Sequence, residues 1–108
     1  MRKLSRFIKY NRTVNGRYRN LKIRHRKYKG SIIPLALFSV MIKKNCVYCN
    51  SKPNSITGSN IDRIDSSKGY VPDNVVSCCI KCNKAKSDMS YNDFKKHIKK
   101  IYKHLIKK

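Results

Sequence analysis

Two pairs of cysteines with the same spacing constrain the fold of this chain more than any other feature. Cys46 and Cys49 are separated by two residues, as are Cys79 and Cys82, and about thirty residues lie between the pairs. Two such turns can place four thiolates around one ion, in the tetrahedral geometry of structural zinc. A redox C-x-x-C pair is the alternative, but it normally occurs once and near a βαβ pattern, which this sequence lacks. We therefore expect a structural Zn²⁺ site, with Cys78 left over as a small buried residue.

The charge of the chain indicates an anionic macromolecular partner. Its 108 residues include 27 lysines and arginines but only five acidic residues, which gives a formal net charge of +22. All five acids are aspartates, and they lie between Asp62 and Asp93. So much positive charge repels itself in a compact chain, and a polyanion such as nucleic acid offsets that repulsion. The hydrophobic content of 40% is nevertheless that of a folded domain.

The first thirty residues combine many basic side chains with three tyrosines and no acid. This composition predicts a basic arm over residues 1–30 that follows phosphates and can stack its rings on bases. Two alternatives are a solvated lysine-rich face and an organelle-targeting peptide, although acid is absent from far more of the chain than such a peptide needs. The candidate nucleic-acid-binding residues of the arm are Arg17, Arg19, Arg24, Arg26 and Lys27.

Residues 31–108 are predicted to form one small α+β domain after the arm. Pro34 favours the first turn of a helix that continues to Lys43 and Lys44, a basic pair that suits a helix C-terminus. No apolar run approaches the roughly 20 residues that cross a bilayer, so we expect no membrane span. Because the number of cysteines is odd and no apolar signal-peptide core follows the basic start, we expect an intracellular protein that is not secreted.

The rest of this domain is predicted to contain a β-hairpin and an amphipathic helix. Two short strand-like segments, 60–64 and 75–78, are separated by turn residues that favour a loose hairpin. Ser90 is a suitable N-cap, and the apolar residues after it recur at helical spacing. We expect this apolar stripe to pack on the zinc-binding region; its residues are Phe94, Ile98, Ile101, Tyr102 and Leu105.

Two motifs accompany the cysteine pairs: residues 62–76 read DRIDSSKGYVPDNVV, and residues 82–86 read CNKAK. In this order they resemble the HNH endonucleases, also called His-Me finger or ββα-metal nucleases. The resemblance is to the zinc-stapled members found in phages, viruses and mobile elements, and it covers roughly residues 42–105. It implies a small ββα-metal domain in which a hairpin and a helix hold one divalent cation for hydrolysis of DNA.

The resemblance also assigns roles to individual positions. Asp62 matches the metal-binding acid and Asn83 the last metal ligand, so it implies Mg²⁺ or Mn²⁺ held by these two side chains. Asn74 matches the residue that orients the loop. Lys84 and Lys86, which follow the second cysteine pair, join the predicted nucleic-acid contacts. No organic cofactor is implied.

Arg63 is the departure from the family pattern, because it stands where the general-base histidine is expected. A guanidinium group with a pKa above about 12 cannot accept a proton from water. Our hypothesis is that Arg63 clamps the scissile phosphate and stabilises its transition-state charge. Water would then be activated by the cation or by a nearby group such as Asp65 or Tyr70.

The sequence therefore predicts a metal-dependent endonuclease that hydrolyses DNA phosphodiester bonds, with RNA as a second candidate substrate. The first alternative is a non-catalytic, zinc-stabilised nucleic-acid-binding protein derived from the same fold, in which Arg63 marks the loss of the base. A ribosomal-protein-like RNA binder is a further alternative, suggested by the size and by a pI of about 10.2. That reading does not account for the motifs between Asp62 and Asn83.

Overall fold

The structure, a computed structural model, describes residues 6–107. Its elements in chain order are α1 (Arg6–Arg12), α2 (Val14–His25), α3 (Leu35–Met41), β1 (Asn60–Arg63), a 3-10 turn (Pro72–Asn74), β2 (Val75–Cys78), α4 (Ile80–Lys86) and α5 (Tyr91–Leu105). Short helices around a two-stranded sheet confirm the predicted α+β class. Over residues 6–107, none of the helices has the length and apolar character that a membrane span requires.

Strands β1 and β2 form the predicted hairpin. They pair antiparallel, with Asn60 opposite Cys78 and Arg63 opposite Val75. Helix α4 begins two residues after β2 ends, so the chain folds straight back beside the hairpin. This arrangement brings the side chain of Lys86, at the end of α4, to Asp62 in β1. The hairpin and α4 together therefore make the frame of the predicted site.

The hydrophobic core lies between the hairpin and helices α2 and α3. Its buried side chains are Leu21, Ile33, Phe38, Met41, Ile42, Ile61, Tyr70 and Val75. Tyr18 of α2 packs against Phe38 with ring centroids 5.4 Å apart and donates its hydroxyl to the carbonyl of Ile33 at 2.8 Å.

Helix α2 thus contributes to the same core as residues 31–108. The sequence had predicted that residues 1–30 form an arm outside this domain. The reason is local: Tyr18, Leu21 and His25 recur at spacings of three and four, so they share one helix face. Leu21 is fully buried and His25 is 7% exposed. The nucleic-acid-binding role of this segment stays a prediction.

Substitution of Leu21 by Ala tests this integration. Because the side chain is fully buried in the common core, we expect Leu21→Ala to lower the free energy of unfolding by about 2–5 kcal/mol. The matched control is Ile23→Ala on the same helix, where the side chain is 40% exposed and the expected loss is within about 0.5 kcal/mol. Urea denaturation measures both. Equally small losses would instead support a separate arm.

Helix α3 ends at Met41, earlier than the predicted end near Lys44. The carbonyl of Ile42 accepts the backbone N–H of Ser59 at 2.7 Å, so the chain leaves the helix to close the following loop onto the hairpin. Gly58 permits this close approach: its φ is +77°, and an added Cβ would lie 2.4 Å from the Ile42 carbonyl oxygen.

Helix α5 begins as predicted but packs less extensively. The Ser90 hydroxyl accepts the backbone N–H of Asp93 at 3.1 Å, which confirms the N-cap. Phe94 is 5% exposed and meets the ring of Tyr48 edge-on, with centroids 5.1 Å apart. Farther along, exposure rises to 41% at Ile98 and 64% at Leu105. The helix therefore docks by its first turn, and the rest of its apolar stripe is largely exposed.

Candidate functional site

The four predicted zinc ligands come together in space. The Sγ atoms of Cys46, Cys49, Cys79 and Cys82 all lie within 4.8 Å of one another. The Cys49 and Cys79 Sγ atoms are 3.7 Å apart, close to the edge of about 3.8 Å of a tetrahedron with metal–sulfur bonds of about 2.3 Å. The set can therefore hold a metal such as zinc. Cys78 is fully buried and outside the cluster, as expected.

The second cysteine pair is built into the start of helix α4. The Cys79 Sγ accepts the backbone N–H of Cys82 at 3.4 Å and so acts as the N-cap of the helix. This backbone hydrogen bond is the main cause of a lowered Cys79 pKa of about 6. The thiolate form, which binds metal, is thereby favoured.

Asp62 lies in a buried polar network with Lys86 and Tyr48. Its Oδ1 is 3.3 Å from the Lys86 Nζ, and its Oδ2 accepts the hydroxyl of Tyr48 at 3.0 Å. The side chains of Lys86 and Asp62 are only 1% and 8% exposed. Burial and the neighbouring Asp62 carboxylate raise the pKa of Tyr48, so its hydroxyl stays protonated and donates. Both carboxylate oxygens of Asp62 are thus occupied by groups of the protein.

Arg63 is the last residue of β1, and its guanidinium group is held by tyrosines and carbonyls. Its Nη1 donates to the Tyr28 hydroxyl at 2.5 Å and to the carbonyls of Ser66 and Lys68 at 2.8 and 3.2 Å. The guanidinium carbon lies 5.0 Å from the Tyr28 ring centroid and 5.3 Å from that of Tyr70. Within residues 6–107, its Nη2 and Nε have no hydrogen-bond partner.

Tyr28 was not among the sequence-predicted site residues, but its hydroxyl accepts a hydrogen bond from Arg63. The hydrogen bond from Arg63 is the main cause of a lowered Tyr28 pKa.

Asp65, by contrast, already accepts the backbone N–H and hydroxyl of Ser67 at 2.9 and 2.6 Å. Those bonds lower the pKa of Asp65, which weakens it as a base. Tyr70 is 9% exposed and belongs to the core.

Asn74 is buried and ties the loop after β1 together. Its Oδ1 accepts the backbone N–H of Asp65 at 2.9 Å, and its Nδ2 donates to the carbonyls of Asp65 and Gly69 at 3.0 and 2.9 Å. His25 holds Tyr70, the residue after Gly69. Its Nδ1 accepts the backbone N–H of Tyr70, while its Nε2 lies 2.8 Å from the Gly30 carbonyl. Asn74 and His25 therefore position the segment that carries Tyr70.

A polar cleft of about 470 Å³ joins three of the predicted site residues, because Asp62, Arg63 and Asn83 all line it. Three predicted nucleic-acid contacts, Arg17, Arg24 and Lys84, line the same cleft. A smaller adjoining pocket is lined by Arg26 and Lys27 together with Arg24, Tyr28 and Arg63. Arg19 is exposed on α2 and lines neither cavity.

The prediction that Lys86 contacts nucleic acid is wrong for this structure. The residue is 1% exposed because its ammonium group is directed inward to Asp62, and it has no surface from which to reach a phosphate. Spacing offers a signal that sequence reasoning could have used: Lys86 follows Cys82 by four residues, so on α4 it lies on the face that carries the metal ligand. Tyr48, inside the first cysteine pair, was also missed, although its hydroxyl bonds the other carboxylate oxygen of Asp62.

Comparisons with known proteins agree with this geometry at the level of the fold. No protein-family model matches the chain. The chain is 40% identical over 58 residues, 53% of its length, to an uncharacterised protein of Acanthamoeba polyphaga mimivirus, and the match spans only 11% of that protein. The HNH restriction endonuclease PacI has a similar structure, with a TM-score of 0.62 and 23% sequence identity. The likeness covers 94% of this chain and 89% of PacI, and it shows an HNH-like fold.

Proposed function

We propose that this protein is an HNH-type endonuclease that hydrolyses DNA phosphodiester bonds. The observation that carries the proposal is the cleft in which Asp62, Arg63 and Asn83 meet, on a fold like that of an HNH restriction endonuclease. Three further basic residues line the cleft: Arg17, Arg24 and Lys84. Cationic groups around a polar cleft suit a phosphodiester backbone. A phage, viral or mobile-element source is part of the proposal, and the mimivirus relative supports it.

The sequence predicts two kinds of metal, and the structure fits only the first. Structural Zn²⁺ would bind to the four clustered cysteines. The HNH resemblance implies in addition Mg²⁺ or Mn²⁺, which Asp62 and Asn83 would hold and which would supply positive charge near the leaving oxygen. The residues do not fit this second ion as they stand, because Asp62 is already paired with Lys86.

In this proposal Arg63 and Tyr28 act as a pair. Arg63 is fixed through Nη1, which leaves the other edge of its guanidinium group for a phosphate oxygen. Tyr28 has a pKa lowered by Arg63, so its phenolate forms more readily and can take a proton from the attacking water. Tyr28 would thus take the role of the general-base histidine of the family pattern, and Arg63 would bind the phosphate.

A plasmid assay tests the proposed function. Zinc-loaded protein is expected to nick supercoiled DNA in Mg²⁺ or Mn²⁺, and Asn83→Ala is expected to remove the activity because it truncates a cleft-lining side chain. Asn92→Ala is the matched control, since Asn92 lies at the start of α5 outside the cleft. Wild-type protein that binds DNA but cuts it with neither metal would contradict the proposal.

Tyr28→Phe tests the role of the tyrosine. Loss of a proton acceptor is expected to lower the cleavage rate by about 10²–10⁴-fold. The wild-type rate should rise with pH through a Tyr28 pKa below the ordinary value near 10, because the base must be deprotonated, and the variant should lose that rise. Tyr10→Phe, on α1 with 43% exposure, is the control. An unchanged pH–rate profile in Tyr28→Phe would show that another group activates water.

The second candidate function is nucleic-acid binding without cleavage. It is favoured by one specific observation: Arg63 occupies the base position, and the acid beside it is neutralised internally by Lys86. The basic cleft would be retained in such a protein, and affinity for DNA or RNA would fall steeply with salt. Salt-sensitive binding together with no cleavage in either metal would select this function.

A further inference from the structure

The Asp62 carboxylate already has a resident cation. Lys86 Nζ lies 3.3 Å from Oδ1, and Tyr48 donates to Oδ2 at 3.0 Å. The ammonium group arrives from α4, and the Lys86 side chain is 1% exposed, so no solvent competes for it. A buried carboxylate paired this way has its charge neutralised and both oxygens engaged. A divalent ion could reach it only against the charge of Lys86.

The surroundings of Asp62 reinforce this conclusion. Asp62 is the sole acidic residue that lines the cleft within the described part of the chain. The cations that line it are Arg17, Arg24, Arg63 and Lys84. With Lys86 behind Asp62, five positive charges face one negative charge. The potential of the empty cleft therefore attracts an anion and repels a divalent cation.

We propose that Lys86 takes the place of the divalent cation beside Asp62 whenever no nucleic acid is bound. The DNA-free cleft is then selective for a phosphodiester and closed to Mg²⁺ or Mn²⁺. Lys86 is in this view a positioning residue that sets the ion selectivity of Asp62. The inference rests on the proposed function for the identity of the phosphodiester. The exclusion of Mg²⁺ and Mn²⁺ concerns the DNA-free protein alone.

Mn²⁺ binding to the zinc-loaded, DNA-free protein tests the proposal. Electron paramagnetic resonance counts free Mn²⁺, so it measures binding without any cleavage. Wild type is expected to show no saturable site over the Mn²⁺ concentrations tested, and Lys86→Met is expected to show one whose Kd lies at least about tenfold below the highest of them, because the competing charge is gone. Lys81→Met is the matched control: it removes the same charge from the same helix at an exposed position outside the cleft.

The double variant Asp62→Asn, Lys86→Met should lose the binding that Lys86→Met gains. Equal Mn²⁺ affinity in wild type and Lys86→Met would overturn the proposal, as would an equal gain in Lys81→Met. A thermal melt and the zinc content show whether each variant is folded.

A measurement on wild-type protein alone covers the case in which Lys86→Met does not fold. Paramagnetic Mn²⁺ broadens nuclear magnetic resonance signals near its site, and we expect no selective broadening of the Asn83 side-chain amide. Selective broadening there in DNA-free protein would overturn the proposal. Neither experiment involves cleavage, so plasmid nicking still decides the proposed function separately.

Discussion

Cys49→Ala is expected to unfold the domain, although Cys49 is exposed. Packing alone predicts a small loss, since truncation of an exposed side chain changes stability by about 0.5 kcal/mol or less. Loss of one ligand of a structural zinc site removes much of a binding free energy of about 10–16 kcal/mol, as much as the whole stability of a small domain. Loss of the metal is therefore expected to lower stability far more than truncation of the exposed side chain itself.

Cys78→Ala is the control that separates these causes. Cys78 is fully buried but lies outside the cluster, so packing predicts the larger loss there, about 1–2 kcal/mol. Thermal melts followed by circular dichroism rank the two variants, and atomic absorption measures bound zinc. A cooperative melt in Cys49→Ala, with stability near wild type, would exclude a structural metal.

Asp62→Ala is expected to lower the free energy of unfolding by about 3–5 kcal/mol, because it leaves the Lys86 ammonium group buried and unpaired. The Tyr48 hydroxyl also loses its acceptor. Such a variant would lose activity by unfolding even if Asp62 had no part in catalysis. Asn83→Ala is therefore a cleaner test of cleavage than Asp62→Ala.

The double variant Asp62→Asn, Lys86→Met should recover most of this loss, since it removes both charges and keeps an acceptor for Tyr48. Asp88→Ala, at an exposed acid, is the control for net charge and should cost less than about 0.5 kcal/mol. Urea denaturation compares the three. If the double variant were as unstable as Asp62→Ala, then the buried pair would not be the cause.

Features that rest on spacing within a short segment could be predicted from the sequence. The cysteine pairs each form one tight turn, and the residues between them contain both strands of the hairpin. The Ser90 N-cap is also local, because its hydroxyl bonds a backbone N–H three residues on. These patterns depend on neighbours in the chain, and they are visible without a structure.

Features that depend on distant partners could not be predicted in the same way. The basic residues of α2 conceal a narrow apolar face, so Leu21 did not stand out as a core residue. Tyr28 is 35 residues from Arg63 in sequence, and Lys86 is 24 residues from Asp62. A lysine in a basic chain also favours a surface interpretation, because burial requires an acid that only the folded hairpin supplies.

The position of Tyr48 and Lys86 in the chain sets an order of events during synthesis. Tyr48 lies inside the first cysteine pair and Lys86 one turn after the second, and both hold Asp62 between them. Asp62 is synthesised 24 residues before Lys86, so their ion pair can form only after helix α4 has been made. Only when the later cysteines emerge and the two turns close together can the cleft assemble. The supply of metal to the finished chain is therefore expected to decide when a newly made molecule matures.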